Sequence, residues 1–237
     1  NSADEIIYMD VVASLYGRNN LSSLIKNMAS ELFIPITVGG GIRTLKDIND
    51  ALKHGADKVL INTAAVKNSK FINNAVLEYG SSTIVIGIDA IKQTDDSYLV
   101  YTDNGREYSG IDAIEWAKEV ENEGAGEIVI TSVNKEGIGD GFDYNLIKEI
   151  STMTNISLIA NGGAGSKEDI LKLARMNIVN GISIASLFHY NYIKKDNSPN
   201  NRNLDFFHKK ETNKNHSTIS IKDLKKYLKN NDIKVRL

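Results

Sequence analysis

Two glycine-rich runs could let the backbone hold an anion. Val38-Gly39-Gly40-Gly41 and Asn161-Gly162-Gly163-Ala164-Gly165 each follow a β-branched run and precede an amphipathic stretch. Glycine lets consecutive N–H groups approach a phosphate oxygen closely, so Gly40, Gly41, Gly162 and Gly163 are candidate phosphate ligands. Asn62-Thr63 and Ala185-Ser186 follow the next β-branched run in each half and add further amides and hydroxyls. Tight strand caps would give the same glycine pattern in one run; its recurrence as a matched pair favours two anion sites. Phosphates on opposite sides of one opening point to a long small-molecule ligand with a phosphate at each end.

Asp89 closes the run Thr83-Ile84-Val85-Ile86-Gly87-Ile88. A carboxylate at a strand end between two phosphate sites is where a general acid or base belongs; a capping carboxylate is the plainer alternative. Asp10 closes the run that starts at Glu5 and fits a loop anchor as well as catalysis, and Thr131 is a further candidate on the same face. Glu5, Lys58 and Glu127 each begin a β-branched run and so face the opposite end. That ring of alternating charge is either a stabilising network or a gate, and on the residues alone the network is preferred. His54, His189, His208 and His216 lie in helical or tail contexts without metal-ligand spacing, so neither a metal nor another cofactor is expected.

The elements that must position these residues alternate. Glu5–Asp10, Ile36–Gly39, Lys58–Asn62, Thr83–Asp89, Glu127–Ser132, Ser157–Asn161 and Gly181–Ala185 read as strands. Leu21–Leu32, Leu45–His54, Ser69–Tyr79, Ile111–Glu123, Tyr144–Ile150 and Lys167–Arg175 carry helical periodicity. Repeated β-α units imply an α/β protein with a parallel sheet. An internal repeat adds to this. At an offset of 122 positions, Asp47-Ile48 falls on Asp169-Ile170, Gly40-Gly41 on Gly162-Gly163, Thr63-Ala64 on Ala185-Ser186 and Glu5-Ile6 on Glu127-Ile128. Two half-barrels of four units each give a (β/α)₈ TIM barrel. Only seven strands are present. The strand ending in Asp89 opens the second half, and its counterpart falls upstream of Asn1, so the expectation is a barrel whose first strand is missing from this chain.

Composition is compatible with one such domain over residues 1–237: 41% of the 237 residues are hydrophobic. The 28 Lys and Arg nearly balance 30 Asp and Glu, which argues against nucleic acid or an anionic membrane as partner. The chain has no cysteine, which excludes disulfides, thiolate metal sites and a cysteine nucleophile. It also lacks a signal-type apolar segment at its start, and a cytoplasmic location is expected.

The runs Ile36-Thr37-Val38-Gly39-Gly40-Gly41-Ile42-Arg43, Gly55-Ala56-Asp57-Lys58-Val59, Ile61-Asn62-Thr63-Ala64-Ala65-Val66, Gly124-Ala125-Gly126-Glu127-Ile128 and Gly162-Gly163-Ala164-Gly165 together resemble the cyclase subunit family of imidazole glycerol phosphate synthase. The likeness covers residues 3–190 and resumes over Ile221–Arg236. It implies a lyase of histidine biosynthesis. A glutamine amidotransferase subunit docked on the N-terminal face of the barrel would supply ammonia. The barrel would join that ammonia to a bis-phosphorylated ribulosyl aminoimidazole carboxamide ribonucleotide, giving imidazole glycerol phosphate and an aminoimidazole carboxamide ribonucleotide. By position, Asp89 matches one of two catalytic aspartates. Glu5, Lys58 and Glu127 match the charged ammonia gate, which reverses the preference for a plain network. Gly41, Asn62, Thr63, Gly163, Ala185 and Ser186 match phosphate-site positions.

Departures accompany the likeness. The first strand of the family carries the other catalytic aspartate and a nearby loop lysine, so the chain without it is expected to be inactive or impaired. Asn134-Lys135-Glu136-Gly137 stands where the family usually has Asp-Arg-Asp-Gly, and Asn161 where it has serine. Residues 191–217 form a polar insertion that reads as a flexible surface excursion, ahead of a C-terminal helix and tail over 221–237. These features also resemble second copies of the cyclase that supply ammonia for amidation of a surface-polysaccharide or sialic-acid-like sugar, which is the alternative reading.

Overall fold

A computed structural model describes residues 3–10, 22–195 and 218–236. Seven parallel strands run in the order β1 (Ile6–Met9), β2 (Ile36–Gly39), β3 (Lys58–Ile61), β4 (Ile84–Lys92), β7 (Glu127–Ser132), β8 (Ser157–Asn161) and β9 (Gly181–Ile182). The seven strands expected from the sequence all form, with Thr83–Asp89 running on to Lys92 and Gly181–Ala185 cut back to Gly181–Ile182. An antiparallel hairpin of β5 (Tyr98–Thr102) and β6 (Glu107–Asp112) extends from β4. This hairpin interrupts the β-α alternation that the sequence pattern implies after Asp89.

Helices follow the parallel strands: α1 (Ser22–Glu31), α2 (Leu45–Lys53), α3 (Thr63–Lys67), α4 (Lys70–Tyr79), α5 (Ala113–Asn122), α6 (Tyr144–Met153), α7 (Lys167–Met176), α8 (Ser186–Lys195) and α9 (Ile221–Lys229). The first five residues of the expected 191–217 insertion belong to α8; the remainder lies outside the described residues. The sheet is curled with its helices outside, the architecture of a (β/α) barrel.

The half-barrel repeat is visible in the local chemistry. Thr44 caps α2 and exchanges hydrogen bonds with Asp47, while Ser166 caps α7 and does the same with Asp169. Both are capping boxes, in which side chain and backbone satisfy each other's otherwise orphaned groups. The two boxes stand 122 positions apart, the repeat offset.

Two hydrophobic clusters separate the outside of the sheet from its inside. The larger joins strand residues such as Ile36, Ile61, Ile86 and Ile130 to helix residues including Ile48, Ile72, Trp116 and Leu146. The smaller consists of Leu60, Val85 and Val129 with Ile7 and Ile159 against it. Side chains alternate faces along a strand, and register partners share a face. The smaller cluster therefore marks the barrel interior. Glu5, Met9, Lys58, Asn62, Gly87, Asp89, Glu127, Thr131, Ser157 and Asn161 all share its phase. Asp10 is out of phase.

Among the described residues no strand joins β1 to β9. A groove of about 1810 Å³ lies there, lined by Ile6 and Ile7 on one side, Ile182 on the other, and Leu224 and Leu228 of α9. Lys225 of α9 reaches across to Asp4, with Nζ and Oδ1 2.7 Å apart. No described helix is long and apolar enough to cross a membrane.

Candidate active site and the opposite barrel opening

Asp89 lies near the C-terminal end of the parallel part of β4, level in register with Thr131 of β7, which is level with Asn161 of β8. Three side chains from neighbouring strands thus line up across the inner face. The Asn161 amide donates to Thr131 Oγ1 at 3.2 Å, and Thr131 is hydrogen bonded to Asp89. From the other side, Asn62 Nδ2 donates to Asp89 Oδ2 at 2.8 Å. Asn62 occupies the N-cap of α3 without using its side chain as a cap. Its amide is committed to the carboxylate instead, and its Oδ1 is buried with no partner among the described residues.

Opposing influences set the proton affinity of Asp89. Burial raises it most and the nearby charge of Glu136 adds to that, while hydrogen bonds from Asn62 and Thr131 lower it; the net position is about 6, against an ordinary value of 3.8. A carboxyl group balanced near neutrality can both accept and return a proton during turnover. Sequence reasoning had placed Asn62 among the phosphate ligands and had not assigned Glu136 or Asn161 to this network. The strand phase shared by positions 62, 89, 131 and 161 is a sequence signal that reaches Asn62 and Asn161, whereas Glu136 lies in the loop after β7, outside that phase.

Gly40 and Gly41 follow β2, and Gly162 and Gly163 follow β8, all with positive φ values of 93°, 72°, 86° and 104°. At Gly40 and Gly163 a side chain would also collide with backbone, that of Asp10 and of Gly141 respectively. Both loops thus bring backbone close to backbone in a conformation that only glycine adopts without strain. Thr63 begins α3 and Ser186 begins α8, with Ala185 immediately before it. The Thr63 hydroxyl also accepts from the Asp103 N–H of the β5–β6 turn at 3.4 Å. All eight candidate phosphate residues follow strands on the face that carries Asp89. Asp10 donates its backbone N–H to Gly39 O at 3.0 Å. Its position and phase suit a loop anchor.

The opposite end of the interior is ionic. Lys58 Nζ lies 3.2 Å from Glu5 Oε2 and 3.0 Å from Glu127 Oε2, and the Ser157 hydroxyl donates to Glu127 Oε1 at 3.3 Å. Burial would lower the Lys58 pKa, but hydrogen bonding and charge from Glu127, then Glu5, hold it above its ordinary value. The ammonium therefore stays charged between its two carboxylates. The polar ends are separated by the layer of Ile7, Leu60, Val85, Val129 and Ile159.

Among the described residues no cluster of His, Cys, Asp and Glu could hold a metal ion. A curled parallel sheet with a near-neutral carboxyl near the C-terminal end of its parallel pairing, flanked by paired glycine loops, defines the chain as a (β/α)-barrel enzyme. Residues 1–194 match the profile of the histidine biosynthesis protein family. Imidazole glycerol phosphate synthase subunit HisF of Legionella pneumophila is 52% identical over 167 residues, covering 70% of this chain and 79% of the relative. The subunit of the same name from Sulfurisphaera tokodaii is 47% identical over 81% of this chain and 76% of its own length. That from Hydrogenobaculum is 43% identical over 99% and 83%. The chain belongs to the histidine biosynthesis family, and within it to the HisF subunits of imidazole glycerol phosphate synthase.

Proposed function

We propose that this chain is the cyclase subunit of an imidazole glycerol phosphate synthase, with Asp89 as a general acid and base. The observation that carries the reading is the setting of Asp89. Its carboxyl is held by Asn62 and Thr131, is shifted to about 6, and stands between two glycine loops related by the internal repeat. One loop pair, Gly40 and Gly41 with Asn62 and Thr63, takes one phosphate of the bis-phosphate substrate. Gly162 and Gly163 with Ala185 and Ser186 take the other. Ammonia addition to a carbonyl, loss of water, cleavage of the carbon–nitrogen bond that releases the aminoimidazole carboxamide ribonucleotide, and ring closure each move a proton, and a carboxyl poised near neutrality suits all four.

A glutaminase subunit docks on the face bearing Glu5, Lys58 and Glu127, where ammonia enters the barrel. The relatives are named as subunits, which supports an assembly. The groove between β1 and β9 has room for one more strand, and the repeat makes such a strand the counterpart of β4. Seated there, it would bring a second carboxylate opposite Asp89 and complete a single barrel domain.

The test is turnover by the full-length protein of the bis-phosphorylated ribulosyl aminoimidazole carboxamide ribonucleotide, first with ammonium and then with glutamine and the glutaminase. Release of imidazole glycerol phosphate in both assays is expected. Absence of product even with ammonium would instead favour the sugar-amidation copy.

A further inference from the structure

The barrel interior is unevenly filled. In barrels of this kind, bulky side chains from alternate strands stack in layers and close the interior. Ile7, Leu60 and Val129 of β1, β3 and β7 form such a layer. The next layer toward Asp89 comes from β2, β4 and β8 and consists of Gly39, Gly87 and Ile159.

Gly87 sits in the middle of β4 between the fully buried Ile86 and Ile88. It is not among the residues with positive φ, so its backbone conformation does not require glycine. A glycine inside a strand weakens it, and its presence there often marks a place where another group must come close. A Cβ at this position would stand 2.8 Å from Leu60 Cδ2 and 3.5 Å from Asn62 Cβ. Leu60 therefore leans into the space left by the absent side chain, beside the residue that holds Asp89.

We infer that Gly87 sets the aperture of a passage between the Glu5–Lys58–Glu127 ring and Asp89, by giving Leu60 a seat against bare β4 backbone. The inference rests on the proposed reading, in which ammonia enters at that ring. The apolar layer discriminates by charge: neutral ammonia crosses it at little cost, whereas ammonium would have to shed its water among Ile7, Leu60, Val85 and Val129. A methyl group at position 87 pushes the end of Leu60 toward the axis and narrows the passage.

The test uses Gly87→Ala in the full-length protein with its glutaminase. Two quantities are read: product formed per glutamine hydrolysed, and kcat and KM for the bis-phosphate substrate with saturating ammonium. Gly87→Ala is expected to lower the product-to-glutamine ratio by roughly threefold or more, with free ammonia appearing in solution, while ammonium-driven kcat and KM change by less than about twofold. Leu60→Ala added to Gly87→Ala is expected to restore the ratio to within about twofold of the parent, because the two sites share one space. An unchanged ratio in Gly87→Ala would overturn the inference. So would an equal fall in both assays, which would mean that Gly87 merely supports Asn62 and Asp89. If Gly87→Ala does not fold, Leu60→Phe narrows the same point from the other side and must lower the ratio. A parent protein inactive with ammonium would remove the cyclase reading itself, an outcome distinct from either variant result.

Discussion

Asn62 Nδ2 donates to Asp89 Oδ2 at 2.8 Å across the adjacent strands β3 and β4. This bond ties a loop assigned to phosphate binding to the carboxyl assigned to proton transfer. It also helps to keep Asp89 ionised against burial and the charge of Glu136. Asn62→Ala is expected to raise the Asp89 pKa further. The pH profile of kcat/KM should then show its acidic limb moved upward, with a rate loss of roughly 10- to 100-fold at pH 7, the worth of one hydrogen bond to a charged group. A profile whose limb does not move would separate Asn62 from Asp89.

The elevated pKa of Asp89 also has a consequence for stability. Because the folded-state value is about 6 against an ordinary 3.8, the folded state holds the proton more tightly than the unfolded chain. That contribution is fully present below pH 4 and is lost as pH rises through about 6. Asp89→Asn, which cannot ionise, is therefore expected to unfold at higher temperature than the parent at pH 8, by roughly 1–3 kcal/mol of stability, and to lose that advantage near pH 4. Thermal unfolding of both proteins at the two pH values checks the sign.

At the other opening, Lys58 lies between Glu5 and Glu127, and the side chains of Lys58 and Glu127 are only 21% and 14% exposed. Lys58→Met leaves two carboxylates facing each other without a cation. A stability loss of about 1–3 kcal/mol is expected, and added salt should recover only part of it because partly buried pairs are poorly screened. Urea unfolding at low and high salt measures both. Glutamine-driven turnover should fall more than ammonium-driven turnover if the ring receives ammonia.

Much of this was legible in the residues. The seven parallel strands were marked by β-branched runs, and the repeat offset predicted a symmetry that the Thr44–Asp47 and Ser166–Asp169 capping boxes display. The strand pattern sets Asp89 toward one end of the barrel and Glu5, Lys58 and Glu127 toward the other, and the structure holds them in those places; the roles of acid-base group and gate come from the resemblance and stand as proposals. The β5–β6 hairpin was missed because its strands pair antiparallel beyond the parallel core. The Asn62 bond to Asp89 joins neighbouring strands 27 positions apart in sequence; strand phase puts both side chains inside the barrel but does not specify that the amide turns to the carboxylate. The influence of Glu136 likewise comes from a loop folding back toward the barrel opening. Its motif position is legible in the sequence as a departure from the family, whereas its charge acts on Asp89 only through the folded chain.

The role of Asp89 is tested most directly by comparing the full-length parent and Asp89→Asn with saturating ammonium and the bis-phosphate substrate, while calorimetry reports substrate binding. The account predicts binding retained within about threefold, since both phosphate loops are untouched, and a fall in kcat of roughly 10²- to 10⁴-fold. Turnover by Asp89→Asn within about twofold of an active parent would contradict it.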